Sequence, residues 1–184
     1  ALELPPYTQD LADAGKLASF GFGFINTYNT EMATGGNLIN GKSDPAASLE
    51  AAATKNDYDL MNVIDWQKAE EFFKAGNGIR NLNGMSVIPL DAAANEGILH
   101  FIPEPRNPHG VDVSPTGDYI VVSGKLDPNG NVYSAERIKK AIADQDYDGT
   151  DPFGVPILKL DSVLEAQVEL GAGPLHSQFD DEGH

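Results

Sequence analysis

Phe20, Phe22 and Phe24 alternate with small residues over positions 19–28, the two-residue period of a strand. Residues 32–47 are rich in Gly, Asn, Ser and Asp and read as a loop. The run DLMNVIDW at 59–66 predicts a second strand. Good helix formers follow over 67–75, with Glu70 and Lys74 one turn apart and Gly76 and Gly78 placed to stop the helix. Residues 85–90 and 98–102 predict short strands. The clearest hairpin pairs residues 110–114 with 119–122 through Pro115-Thr116-Gly117-Asp118, where Pro and Gly suit a tight turn. Residues 134–143 predict a helix capped by Ser134, with Ile138, Ala141 and Ile142 on one face. Residues 167–169 and 176–179 predict the start of another strand pair.

A weak repeat crosses this pattern. Pro108-His109-x-Val111-x-Val113-x-x-x-Gly117 is echoed by Pro174-x-His176-x-x-Phe179-x-x-x-Gly183. Each unit puts a histidine just before a predicted strand that runs into a Gly turn. The sixty-seven-residue spacing of the histidines exceeds the ~40–50 residues of a propeller blade. The helix near 138 and its flanking loops read as an insertion that accounts for the excess. In a propeller the innermost strand of each blade starts at the central channel, so a ligand repeated there faces one axis.

Composition narrows the function. The chain has 184 residues, enough for one core, and 41% of them are hydrophobic, which excludes wholesale disorder. Nineteen glycines and twelve prolines favour a turn-rich β protein. A net charge of −16 argues against nucleic acid and anionic membrane partners. With no cysteine, disulfides, thiolate metal sites and cysteine nucleophiles are excluded within this stretch. No apolar run approaches the ~20 residues of a membrane span, and residues 1–7 lack a signal-peptide pattern. Both ends read as cut: the start is extended and Pro-rich, and the last six residues resemble the first half of a hairpin.

Two groups of residues can carry chemistry. Imidazoles such as His109 and His176 suit copper, zinc, iron or nickel. They also serve to order a turn by bonding to backbone, and the residues alone leave both readings open. Tyr28, Glu31, Asp57, Asp59 and Asn107 form an oxygen-rich set in or beside loops, the donor type that calcium takes. In a chain with twenty-eight acids, solvated surface is the competing reading. His100, between Leu99 and Phe101, reads as a packed strand residue, and Lys125 as a turn residue. There is no nucleophile–base triad, phosphate loop or dinucleotide fingerprint.

Four segments follow in order: Tyr28-Asn29-Thr30-Glu31-Met32, Phe101-Ile102-Pro103-Glu104-Pro105-Arg106-Asn107-Pro108-His109-Gly110, Ser123-Gly124-Lys125-Leu126-Asp127-Pro128 and Gly171-Ala172-Gly173-Pro174-Leu175-His176. Together they resemble nitrous-oxide reductase. The N-P-H-G and G-x-G-P-L-H segments are the specific ones. The resemblance covers most of the chain. It implies a periplasmic homodimer in which each subunit joins an N-terminal seven-bladed propeller to a C-terminal cupredoxin domain. It implies reduction of nitrous oxide to dinitrogen and water at a tetranuclear copper–sulfide cluster held by seven histidines. Electrons would come from a small donor protein, such as a cytochrome c or cupredoxin, through a dinuclear copper site. By motif, His109 and His176 match two cluster ligands. Tyr28, Glu31, Asp59 and Asn107 match the family's calcium ligands, and Ala53 matches a carbonyl ligand by spacing alone. Ala172 stands where the family has leucine, the 32–53 loop is longer than in the better-known branch, and 127–133 differs from it. These departures leave the proposed ligands in place.

The expected fold is therefore all-β: residues 1–184 form two to three blades of a seven-bladed propeller with helical insertions, without the cupredoxin domain. The expected role is that of a fragment of the copper oxidoreductase, inactive alone. The rival is a non-enzymatic propeller serving as a binding module, since fold alone does not fix function. The paired histidine motifs favour the enzyme, because a binding module has no need of imidazoles at successive blade entries.

Overall fold

Alternating apolar positions gather into two main sheets in the computed structural model, which describes residues 1–28, 59–125, 127–171, 173–180 and 182–183. With strands numbered in chain order, the larger sheet runs β1 (Thr8–Ala14), β2 (Phe22–Tyr28), β3 (Asp59–Asp65), β6 (Leu99–Glu104), β11 (Pro156–Leu158), β10 (Tyr147–Thr150). Its β11–β6 contact is parallel and the other pairings are antiparallel. The smaller sheet is antiparallel throughout, in the order β12 (Leu164–Glu169), β9 (Asn129–Ser134), β8 (Tyr119–Gly124), β7 (Pro108–Val113). A two-stranded ribbon, β4 (Arg80–Leu82) with β5 (Met85–Val87), completes a mostly β fold.

Side chains two apart on a strand share a face, which explains the two cores. Met61 and Val63 of β3 join Phe24, Ile102, Val111, Ile120, Val122 and Tyr133 in one cluster. Leu60 of β3 joins Leu99, Phe101, Tyr7, Ile88 and Ala93 in the other. β3 and β6 are thus buried on both faces, with the polar Asn62 and His100 enclosed among their apolar residues. Truncating a fully buried residue such as Ile120 costs about 2–5 kcal/mol. Sequence alternation cannot say which of two cores a side chain enters.

The helices follow their caps. Asp65 accepts from the Lys68 N–H at 2.9 Å and opens the helix Trp66–Ala75, which Gly76 ends in the left-handed region at φ 76°. The Lys74–Glu70 pair forms at 2.8 Å. Ser134 caps Ala135–Asp144 through the Arg137 N–H, and Ile138 and Ala141 are buried beneath it.

Three expectations need correction. The strand predicted from residue 19 starts at Phe22, because residues 17–19 form a 3-10 turn and Gly21 has φ 101°. The strand predicted over 85–90 stops at Val87; Pro89 lacks an N–H to continue a ladder and leads into the helix Leu90–Asn95. Residues 176–179 form no strand. There the Asp112 carboxylate accepts the Ser177 N–H at 2.8 Å, so a side chain stands where a ladder bond would be. The expected 32–47 loop lies outside the described residues.

Candidate metal centre

β7 carries His109 as its second residue, and its backbone is bent there by a register shift between Pro108 and Val111. Buried Asn26 of β2 fixes the bend, its amide donating to the carbonyls of His109 at 3.1 Å and Gly110 at 2.8 Å. The segment carrying His176 lies against the same bend: the Gly110 N–H donates to the Leu175 carbonyl at 2.8 Å. The two imidazoles meet edge to face, with centroids 5.1 Å apart and planes at 72°. A pair sixty-seven residues apart in sequence is therefore a neighbour pair in space.

Each ring faces a carboxylate through Nδ1. His109 Nδ1 lies 3.0 Å from Asp10 Oδ2, and His176 Nδ1 lies 3.5 Å from Asp112 Oδ1. A carboxylate on Nδ1 favours the tautomer whose Nε2 lone pair is open to a metal. Asp10 belongs to β1, which packs beside β7; Asp13 accepts the Val113 N–H at 3.0 Å. Sequence reading missed both acceptors. Asp112 could be found as the polar position of the hairpin arm, but Asp10 carries no local signal, since only β1–β7 packing brings it to His109. Among the described residues no three or more His, Cys, Asp or Glu side chains gather in a group that could hold a metal ion.

The oxygen-rich residues converge in part. β2 ends at Tyr28 on the strand neighbouring β3, which begins at Asp59. Asn107, in the left-handed region at φ 54°, donates its N–H to Asp59 Oδ2 at 2.5 Å. Glu31, Ala53 and Asp57 lie outside the described residues. Sequence reading overlooked Glu104, the cross-strand partner of Asp59. It is fully buried, and burial, followed by the Asp59 charge, pushes its pKa well above the usual carboxylate range.

His100 is a packed strand residue, 1% exposed, with Nε2 3.3 Å from the Tyr147 hydroxyl. Burial, and then the Lys68 ammonium, lower its pKa from 6.5 to about 4. The unfolded chain takes up this proton near pH 6.5 and the folded chain only near pH 4, so stability falls as pH drops between the two. The expected loss is about 3 kcal/mol. Denaturant unfolding of wild type and His100→Gln at pH 7 and pH 4 checks it: the variant should lose less stability on acidification, and equal losses would contradict it.

No family model matches the chain. Curated nitrous-oxide reductases do: that of Pseudomonas fluorescens is 31% identical over 97% of the chain, that of Ralstonia nicotianae 31% over 92%, and that of Stutzerimonas stutzeri 28% over 87%. By sequence this chain belongs with the nitrous-oxide reductases. It spans 29%, 22% and 26% of the length of those three relatives. Hydrazine synthase of Kuenenia stuttgartiensis superposes over 96% of this chain and 40% of its own at a TM-score of 0.49 with 10% identity, too loose a likeness to define the fold. Among the described residues no helix is long and apolar enough to cross a membrane.

Proposed function

We propose that this chain is part of the propeller of a periplasmic, homodimeric nitrous-oxide reductase, and that His109 and His176 are two ligands of its copper–sulfide cluster. The observation that carries the reading is the imidazole pair, 5.1 Å between centroids, with each Nδ1 turned to its own aspartate. The donors fit the group: imidazole suits copper, and two neighbouring rings can serve different ions of one cluster. The bound cluster would supply the two electrons and the binding site for nitrous oxide. Asp10 and Asp112 would orient the rings, and Asn26 would hold the backbone that carries them.

The strand order supports the propeller. β7, β8, β9 and β12 form one four-stranded antiparallel sheet, and β1, β2, β3 and β6 follow one another in the other sheet. Asp10 and His109 then sit on the first strands of adjacent blades, and His176 lies just beyond the last strand of the second. The dinuclear copper site, the cupredoxin domain and the remaining cluster histidines would lie in other parts of the protein. A cytochrome c or cupredoxin would deliver electrons there.

Asp59 and Asn107, with Tyr28, Glu31 and the Ala53 carbonyl, would hold calcium. The buried Glu104 carboxylate beside Asp59 supports a cation there, because an uncompensated buried carboxylate is costly. Calcium would tie the end of β2 to the turn at Asn107, two residues before His109.

The test is turnover. With a chemical reductant, the copper-loaded full-length protein should reduce nitrous oxide and the isolated 184-residue chain should not. An inactive full-length protein with copper bound, or an active isolated chain, would overturn the reading.

A further inference from the structure

We infer that Glu104 supplies a carboxylate to a calcium-type cation site formed with Asp59 and Asn107, an inference that rests on the calcium reading above and adds a ligand to it. Register decides where Glu104 stands. It pairs with Asp59 across β3 and β6, and directly paired residues of neighbouring strands project from the same face. Like charges in that position oppose each other. Yet both side chains are buried, Asp59 at 3% and Glu104 at 2% exposure.

The two carboxylates are held differently. Asp59 accepts the Asn107 N–H at 2.5 Å. Glu104 Oε1 accepts the Thr27 N–H at 3.3 Å, while Oε2 is buried without a hydrogen-bond partner among the described residues. Thr27 is the next-to-last residue of β2, so the carboxylate is pinned at the sheet end where Asp59 and Asn107 meet. A divalent cation offsets both the desolvation of the acids and their mutual repulsion. Calcium accepts irregular carboxylate and amide donor sets, and its affinity follows ligand charge and site rigidity. Two buried carboxylates on adjacent strands provide both.

Calcium calorimetry and thermal unfolding of the intact, chelator-treated protein test this, comparing wild type with Glu104→Gln and Asp59→Asn. The isosteric Glu104→Gln should bind calcium about tenfold or more weakly. Without calcium its melting temperature should equal or exceed that of wild type, because a repelling buried acid is gone. Calcium should then raise it less than it raises wild type. Wild-type affinity in Glu104→Gln, with weakened binding in Asp59→Asn, overturns the Glu104 assignment and leaves the calcium reading standing. Equal destabilisation of Glu104→Gln with and without calcium marks a purely structural residue and also overturns it. Absence of calcium binding in wild type overturns both.

Discussion

Replacing His109 or His176 by alanine in the full-length protein is expected to strip copper from the cluster and reduce nitrous-oxide turnover by about 100-fold or more. Removing a ligand opens a coordination position that water fills without fixing geometry. The fold should survive, because His109 is only partly buried and His176 is exposed, with side-chain exposures of 34% and 43%. Copper content per protomer, measured with activity and thermal unfolding, separates the two effects. Asp10→Ala and Asp112→Ala should act in the same direction but more weakly, by about 10–100-fold in affinity or activity, the usual cost of losing a carboxylate behind a metal-bound histidine. Full copper and full turnover in either histidine variant would remove that histidine from the ligand set.

Gly110→Ala is expected to do comparable damage without replacing a ligand. A Cβ at Gly110 would lie 2.5 Å from the Leu175 carbonyl oxygen, 2.6 Å from His176 Nδ1 and 3.0 Å from Asp112 Oδ2. The first contact is backbone, held by the Gly110 N–H itself at 2.8 Å, so it cannot withdraw without breaking that bond. The segment carrying His176 must shift, and its ring must leave Asp112. Overpacking of this kind costs about 1–3 kcal/mol. Copper content should fall while the β7–β8 hairpin stays folded. Wild-type copper and melting temperature in Gly110→Ala would show that the His176 segment does not lie against β7.

The elements that sequence revealed are those whose signal is local. β3, the helix after it and the β7–β8 hairpin follow from alternation, caps and turn chemistry within ten residues. The strands it missed are interrupted, polar or short: β1 has a register break between Gln9 and Ala12, β9 begins Asn-Gly-Asn, and β4, β10 and β11 have only three or four residues. The site divides in the same way. His109 and His176 were legible because each sits in a distinctive motif. Asp10, Asn26 and Glu104 were not, because each acts through a contact that only sheet packing creates. The predicted strand at 176–179 failed for a related reason, since its pattern is strand-like but a carboxylate takes the backbone donor.

Anomalous diffraction at the copper edge from crystals of the full-length protein tests the ligand pair most directly. Copper peaks are expected within about 2.0–2.1 Å of a ring nitrogen of both His109 and His176, with Asp10 and Asp112 still on the opposite nitrogens. A fully copper-loaded protein with no peak near either ring would contradict the assignment.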